Sequence, residues 1–233
     1  MNTRANAYKN RILASLSPGE LSRISPHLVP VDLPQDKSLL DGRATTAYFL
    51  EEGIASVVVT LKEGETVEVG VIGNDGVVGI PALLGVENGT SRTFMQIQGC
   101  GYSIKANVLR EHFERSGELR KYLQRYMQAF MVQTAQTAAC NRVHDIEERL
   151  ARWLLTCRDR MPSDRLHLTQ TFIGQMLGAP RTTVTLAAGI LERAGLIDHS
   201  RGVVVIRNRA ELENTACECY QTVRDEYKRL KLL

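Results

Sequence analysis

The chain lacks any run of the ~18 consecutive apolar residues that a membrane-crossing helix requires. Its first residues, Met1 to Asn6, lack the apolar core of a secretory signal, so a soluble, cytoplasmic protein is expected. Cysteine is scarce: five in 233 residues, an odd and scattered set that does not read as a disulfide framework. The sequence also has no Gly-x-Ser-x-Gly elbow, no Gly-x-x-x-x-Gly-Lys-Ser/Thr phosphate loop and no His-Glu-x-x-His pair. His144-Asp145 has no nucleophile near it in sequence and reads as a hinge or helix-start feature. An enzyme is therefore the least supported class, and no cofactor is expected.

What is present is a chain of two-domain length with ordinary globular composition, 43% hydrophobic and 24% charged. Residues 1–140 carry 14 basic and 14 acidic side chains, whereas residues 141–233 carry 15 and 12. The whole formal charge of +3 thus lies in the C-terminal part. Between Met161 and Ala210 six arginines face only Asp164, Glu192 and Asp198. Such a balance suits either a slightly basic surface or a phosphate-binding domain, since displaced counterions supply most non-specific nucleic-acid affinity.

Ser17-Pro18-Gly19-Glu20-Leu21 has the form of a helix start. From about Val29 to Ile104 the chain reads as strands: Val57-Val58-Val59-Thr60 is β-branched, and Val67, Val69 and Val71 alternate with Glu68 and Gly70. Ten of the 18 glycines lie between Gly53 and Gly101, at turn-like places. Short strands with frequent glycine turns predict a small barrel, sandwich or roll. From Glu118 the pattern becomes helical. Leu119, Leu123, Tyr126, Phe130, Gln133, Thr137 and Cys140 recur at heptad spacing over three heptads, about 33 Å of helix. This stripe suits packing on its own domain or a dimer seam. Its narrowness and the polar flanks (Arg120, Lys121, Gln124, Arg125, Gln128) favour the seam. A second helix follows over Asp145–Arg158 and ends before Met161-Pro162-Ser163-Asp164. The expected organisation is α+β: a β-roll over 1–117, a dimerisation helix and hinge over 118–143, and a third unit over 144–233.

The most informative stretch runs from Leu168 to Val184. Thr169 suits a helix N-cap, and Phe172, Ile173, Met176 and Leu177 give a short helix one apolar face. Gly178-Ala179-Pro180 turns the chain into a second helix whose buried side is Val184, Ala187, Ala188, Leu191 and Ala194, closed by Gly195. Arg181, Thr182 and Thr185 begin its opposite face, small or cationic groups able to enter a major groove. Leu196 to Ile206 then reads as strand, Arg201-Gly202 turn and strand. Helix, turn, helix and hairpin in this order make a winged helix-turn-helix. The same fold serves either DNA or protein contacts.

A glycine-rich roll, a long helix and a winged helix-turn-helix, in that order, resemble the Crp/Fnr family of bacterial transcription regulators. Glu147–Leu155, Leu168–Val184 and Ala194-Gly195-Leu196-Ile197 carry the resemblance most specifically, and Ala216-Cys217-Glu218-Cys219-Tyr220 looks like an α-proteobacterial branch. The resemblance implies a double-stranded β-helix or jelly-roll domain of the cyclic-nucleotide-binding type. It also implies a homodimer on a two-fold symmetric operator beside RNA polymerase. Position by position, it assigns DNA contacts to Arg181 and, at the first helix's start, Thr169; Gln170, Thr182, Thr183, Thr185 and the wing-tip Arg201 complete the candidate DNA-binding set. Where the family usually has a Glu after this Arg and a further Arg one turn on, this chain has Thr182 and Leu186, which puts the familiar half-site in doubt.

Gly76-Val77-Val78-Gly79 and Arg92-Thr93 stand where cyclic-nucleotide-binding members grip ribose and phosphate, making Gly76, Gly79, Arg92 and Thr93 the candidate effector pocket. Val77 cannot accept a hydrogen bond from a ribose hydroxyl, at a cost of about 1–3 kcal/mol in a closed pocket, so a cyclic nucleotide is disfavoured. The N-terminal cysteines of the iron–sulfur branch are missing, the first being Cys100. Among the histidines only His27 and His112, at the edges of the strand region, approach a position for a haem ligand. Cys217 and Cys219, read as lying on one helix, would point about 200° apart and not converge on one ion. Cys219 is expected in the core, Cys217 partly exposed, and no metal is expected.

Overall fold

The computed structural model describes residues 8–86 and 88–233; the Met1–Asn6 segment lies outside them. Two short helices open the described chain, α1 (Arg11–Ala14) and α2 (Pro18–Ile24), the second capped by Ser17, whose hydroxyl accepts from the Glu20 N–H. Six strands follow: β1 (Val29–Leu33), β2 (Ser38–Arg43), β3 (Thr46–Thr60), β4 (Thr66–Ile72), β5 (Val77–Val78) and β6 (Asn88–Lys105). A helical turn, α3 (Ile80–Leu83), lies between β5 and β6. All pairings are antiparallel, in the order β1-β6-β3-β4, with β2 on β6 and β5 on β3. β3 and β6 have 15 and 18 residues, long for strands, and their pairing shifts register between Leu50 and Ala55. The strict alternation expected along β4 breaks at Val69: Val57 pairs with Gly70 while Val58 pairs with Glu68. Glu68 is buried rather than solvated, because Trp153 of the C-terminal unit packs on it.

α4 (Ala106–Arg115) leads into the 27-residue α5 (Gly117–Val143), whose cap Ser116 accepts from the Leu119 N–H. α6 (Ile146–Arg158) starts with a reciprocal Asp145–Glu148 capping box. Then come β7 (Arg165–His167), α7 (Gln170–Leu177), α8 (Arg181–Arg193), β8 (Ile197–Ser200), β9 (Val203–Ile206), α9 (Arg209–Thr215) and α10 (Cys219–Arg229). β7, β9 and β8 form a three-stranded antiparallel sheet.

Two large cores result. One fills the roll and takes in Leu119, Leu123, Tyr126 and Ala129 of α5. The other joins the roll's outer face (Ile54, Val58, Val71, Phe94, Ile97) to the helices of the C-terminal unit. Three polar contacts lock that second junction. Trp153 Nε1 donates to Glu68 Oε1 (2.7 Å). Arg160 pairs with Asp75, and Gln96 Nε2 donates to Cys157 Sγ.

The heptad stripe on α5 packs on its own chain, contrary to the seam expected from its narrowness. Leu119, Leu123, Tyr126, Gln133, Thr137 and Cys140 are all buried within one chain, and Phe130 is half-buried. The cause is close approach of α5 to the roll: a Cβ on Gly76 would sit 2.4 Å from the Tyr126 ring, and one on Gly70 would sit 2.7 Å from the Phe130 ring. Gln133 brackets β4, accepting from the Val71 N–H and donating to the Val71 carbonyl, and its amide also donates to Tyr227 Oη on α10. The face turned outward is a second heptad series, Gln124, Gln128, Met131, Ala135, Ala138 and Arg142, all exposed.

Candidate nucleic-acid interface

Thr169 caps α7 by accepting from the Phe172 N–H (3.2 Å). The chain turns at Gly178, a left-handed C-cap (φ +58°), and Pro180 precedes α8. Val184, Ala187, Ala188 and Leu191 are buried as their spacing suggests; Ala194, expected with them, caps the helix and is exposed. The opposite face presents Arg181, Thr182 and Thr185 to solvent, with Thr183 half-buried at the edge.

Gln170 ties this face together. Its Nε2 lies 2.7 Å from His199 Nε2 on β8, and its Oε1 lies 2.8 Å from the Thr185 hydroxyl. That hydroxyl is also 2.9 Å from the Arg181 carbonyl. One side chain of α7 therefore fixes the tilt of α8 against the hairpin. The hairpin turn places Arg201 (φ +47°) and Gly202 (φ +77°) in the left-handed region, as a tight two-residue β-turn requires. A Cβ on Gly202 would meet the Thr169 methyl at 3.3 Å, so the wing tip lies beside the start of α7. Thr169, Arg181 and Arg201 are all exposed.

Two residues escape the motif reading. Leu186 (70% exposed) and Ile190 (44%) extend the outer face of α8 with apolar groups. Their spacing from Thr182 in steps of four was the available signal, since it lies outside the buried set. Groups of this kind suit contact with a thymine methyl.

The proposed effector residues are only partly brought together. Gly79 and Thr93 line a cavity of ≈ 360 Å³ between the roll and α5, with Val77, Ile80, Met127 and Phe130 among its mostly apolar walls. Gly76 instead packs under Tyr126. Arg92 is exposed, with its guanidinium 5.5 Å from the Phe94 ring centre. His27 and His112 lie against each other with ring centres 5.4 Å apart and planes tilted by 56°, outside the strands.

Contrary to expectation, Cys217 and Cys219 do not lie on one helix: α9 ends at Thr215 with an extended cap at Ala216, and α10 starts at Cys219. Both are buried, and together with Cys140 and His144 their ligand atoms all lie within 4.8 Å of one another. The hydrogen bond between the Cys140 and Cys217 sulfurs pulls the Cys140 thiol down, to about 5, and pushes Cys217 up.

Residues 148–215 match the family model of the Crp-like helix-turn-helix domain. Among solved structures the chain is similar to FixK2 from Bradyrhizobium japonicum, at 18% identity and a TM-score of 0.70 over 82% of this chain and 98% of that one. It is similar to TTHA1359, a Crp/Fnr-family transcriptional regulator from Thermus thermophilus (19%, 0.66, 81% and 98%). A third similar structure is CLP, a c-di-GMP-responsive global regulator of Xanthomonas campestris (16%, 0.66, 82% and 100%). No curated protein matches the chain. Among the described residues, no helix is long and apolar enough to cross a membrane. Residues 148–215 thus carry the likeness to a Crp-like helix-turn-helix domain, and the antiparallel roll, long helix and C-terminal unit together share the fold of these solved structures.

Proposed function

We propose that the protein is a homodimeric, sequence-specific DNA-binding regulator that reads a two-fold symmetric operator with α8 and acts beside RNA polymerase. The observation that carries this reading is the outer face of α8: Arg181, Thr182, Thr185, Leu186 and Ile190 are exposed on a helix whose tilt is fixed by Gln170. Arg181 at the helix start would pair with guanine O6 and N7, the commonest base-specific contact. Thr169 and Arg201 flank it as phosphate contacts. Two such helices must stand about 34 Å apart to enter successive major grooves. The outward α5 series from Gln124 to Arg142 suits a seam that sets that spacing, with Ala135 and Ala138 allowing close approach.

The effector reading follows the cavity. Walls of this composition favour an apolar ligand over a cyclic nucleotide, because Val77 supplies no acceptor and Arg92 does not line the space. A signal bound against Met127 and Phe130 would bear directly on α5 and shift the population of correctly spaced dimers.

The test is selection of randomised duplex DNA by the purified, ligand-free protein at two salt concentrations. A two-fold symmetric site should be enriched, and Arg181→Ala should lose the preference at one position of each half-site. Retention of a protein partner by Arg181→Ala, with no DNA binding by the parent at either salt, would favour a protein-interaction role instead.

A further inference from the structure

We propose that Cys140, His144, Cys217 and Cys219 form a four-coordinate site for a divalent transition-metal ion of the zinc class, three thiolates and one imidazole. The dimensions fit. A tetrahedral zinc site with Zn–S near 2.3 Å and Zn–N near 2.0–2.1 Å needs sulfurs about 3.8 Å apart and sulfur and nitrogen about 3.6 Å apart. Cys140 Sγ and Cys217 Sγ are 3.5 Å apart, and Cys219 Sγ lies 3.6 Å from His144 Nδ1.

The surroundings are those of a ligand set rather than of a packed apolar corner. Glu218 Oε2 lies 3.1 Å from His144 Nε2. That contact holds the proton on Nε2 and turns the Nδ1 lone pair toward the sulfurs, as carboxylates do behind metal-bound imidazoles. Gln136 Nε2 donates to Cys219 Sγ at 3.3 Å, a bond that stabilises a thiolate. Three thiolates around a dication leave a net charge of −1. Arg152 and Arg149 both act electrostatically on Cys140, and Arg152, 7% exposed, has no hydrogen-bond partner for its Nε. Soft sulfur with imidazole selects zinc-class ions over magnesium or calcium.

The ligands come from two separate segments. Cys140 and His144 stand one turn apart at the end of α5, whereas Cys217 and Cys219 flank the break between α9 and α10. Binding would release to solvent whatever protons the thiols still hold and join the hinge to the C-terminal segment.

The experiment uses the reduced full-length protein, with its five thiols counted before each titration. Metal analysis of protein from zinc-supplemented cultures should find about one zinc per chain. After chelator treatment, cobalt(II) should produce the intense visible bands of a tetrahedral ion and near-ultraviolet thiolate charge transfer, both abolished by adding zinc. Cys217→Ser should lose part of the charge-transfer intensity. Glu218→Gln alters an exposed side chain that need not affect folding, and should weaken cobalt binding by roughly 10–100-fold. No uptake by the fully reduced parent would overturn the site, as would a weak octahedral spectrum or parent-like binding by both Cys217→Ser and Glu218→Gln. Because no step involves DNA, the result stands apart from the operator reading.

Discussion

Arg160 and Asp75 form an ion pair of 2.6 Å in which neither side chain is more than 6% exposed, and it joins the C-terminal unit to the turn between β4 and β5. The Arg160 guanidinium also lies 5.4 Å from the Tyr227 ring centre of α10, so three segments distant in sequence meet at one charge. Asp75 further accepts from the Gly73 N–H, which fixes its turn. Removing one member of such a pair leaves the other charge buried without compensation. Asp75→Ala should therefore lower stability by about 3–5 kcal/mol in urea denaturation, whereas an Asp75→Leu, Arg160→Met double replacement should recover most of that loss. Equal destabilisation by the single and double variants would remove the pair from the interface account.

Glu68 gives the same junction a pH dependence. Burial raises its carboxyl from 4.5 to about 7, against hydrogen bonds that favour the charged form. An acid with a raised folded value contributes stability that is complete below its unfolded value and is lost as pH rises through the folded one. The junction should thus weaken between about pH 4.5 and 7, by roughly 3 kcal/mol in total. Hydrogen exchange of the α6 amides against pH would follow this, and Glu68→Gln should flatten the profile by keeping a neutral group under Trp153.

At the DNA face, Arg181 and Arg201 should separate by the kind of energy they lose. Arg181→Ala should cost about 1–3 kcal/mol on the selected site and relax specificity. Arg201→Ala should weaken binding to all sequences alike and reduce the slope of log affinity against log salt by about one. Fluorescence anisotropy at several salt concentrations distinguishes the two.

Ala138→Glu, on the outward α5 series, should give a folded monomer in sedimentation velocity and abolish operator binding, since close small-residue contacts do not accommodate a carboxylate. An intact dimer in that variant would move the interface elsewhere.

The cavity beside α5 should take up a fluorescent apolar probe with saturable binding. Cyclic AMP should not displace it, and Ile80→Trp, which fills one wall, should reduce the uptake.

The sequence made the helix-turn-helix legible because its signals are local: a Thr169 cap, a Gly178 turn, a four-residue buried series and a glycine at the hairpin tip each act within a few residues. The roll was legible as strands and turns, but the burial of Glu68 was not, since it depends on Trp153, 85 positions away in sequence. Heptad spacing identified a buried face of α5 correctly but not what covers it. Roll, second copy and C-terminal helix all present the same demand to such a stripe. The convergence of Cys217 and Cys219 is hidden in the sequence for a related reason: a continuous helix would point them apart, and the chain leaves helical geometry at Ala216.

α5 also separates self-association from folding. Its inward stripe is satisfied by residues of its own chain, so a protomer keeps both cores when alone. If pairs form through the outward series, dilution would dissociate them without exposing a core. Well below the dimer dissociation constant, operator occupancy would then rise with the square of protomer concentration. Abundance in the cell would become an input to the regulator in its own right.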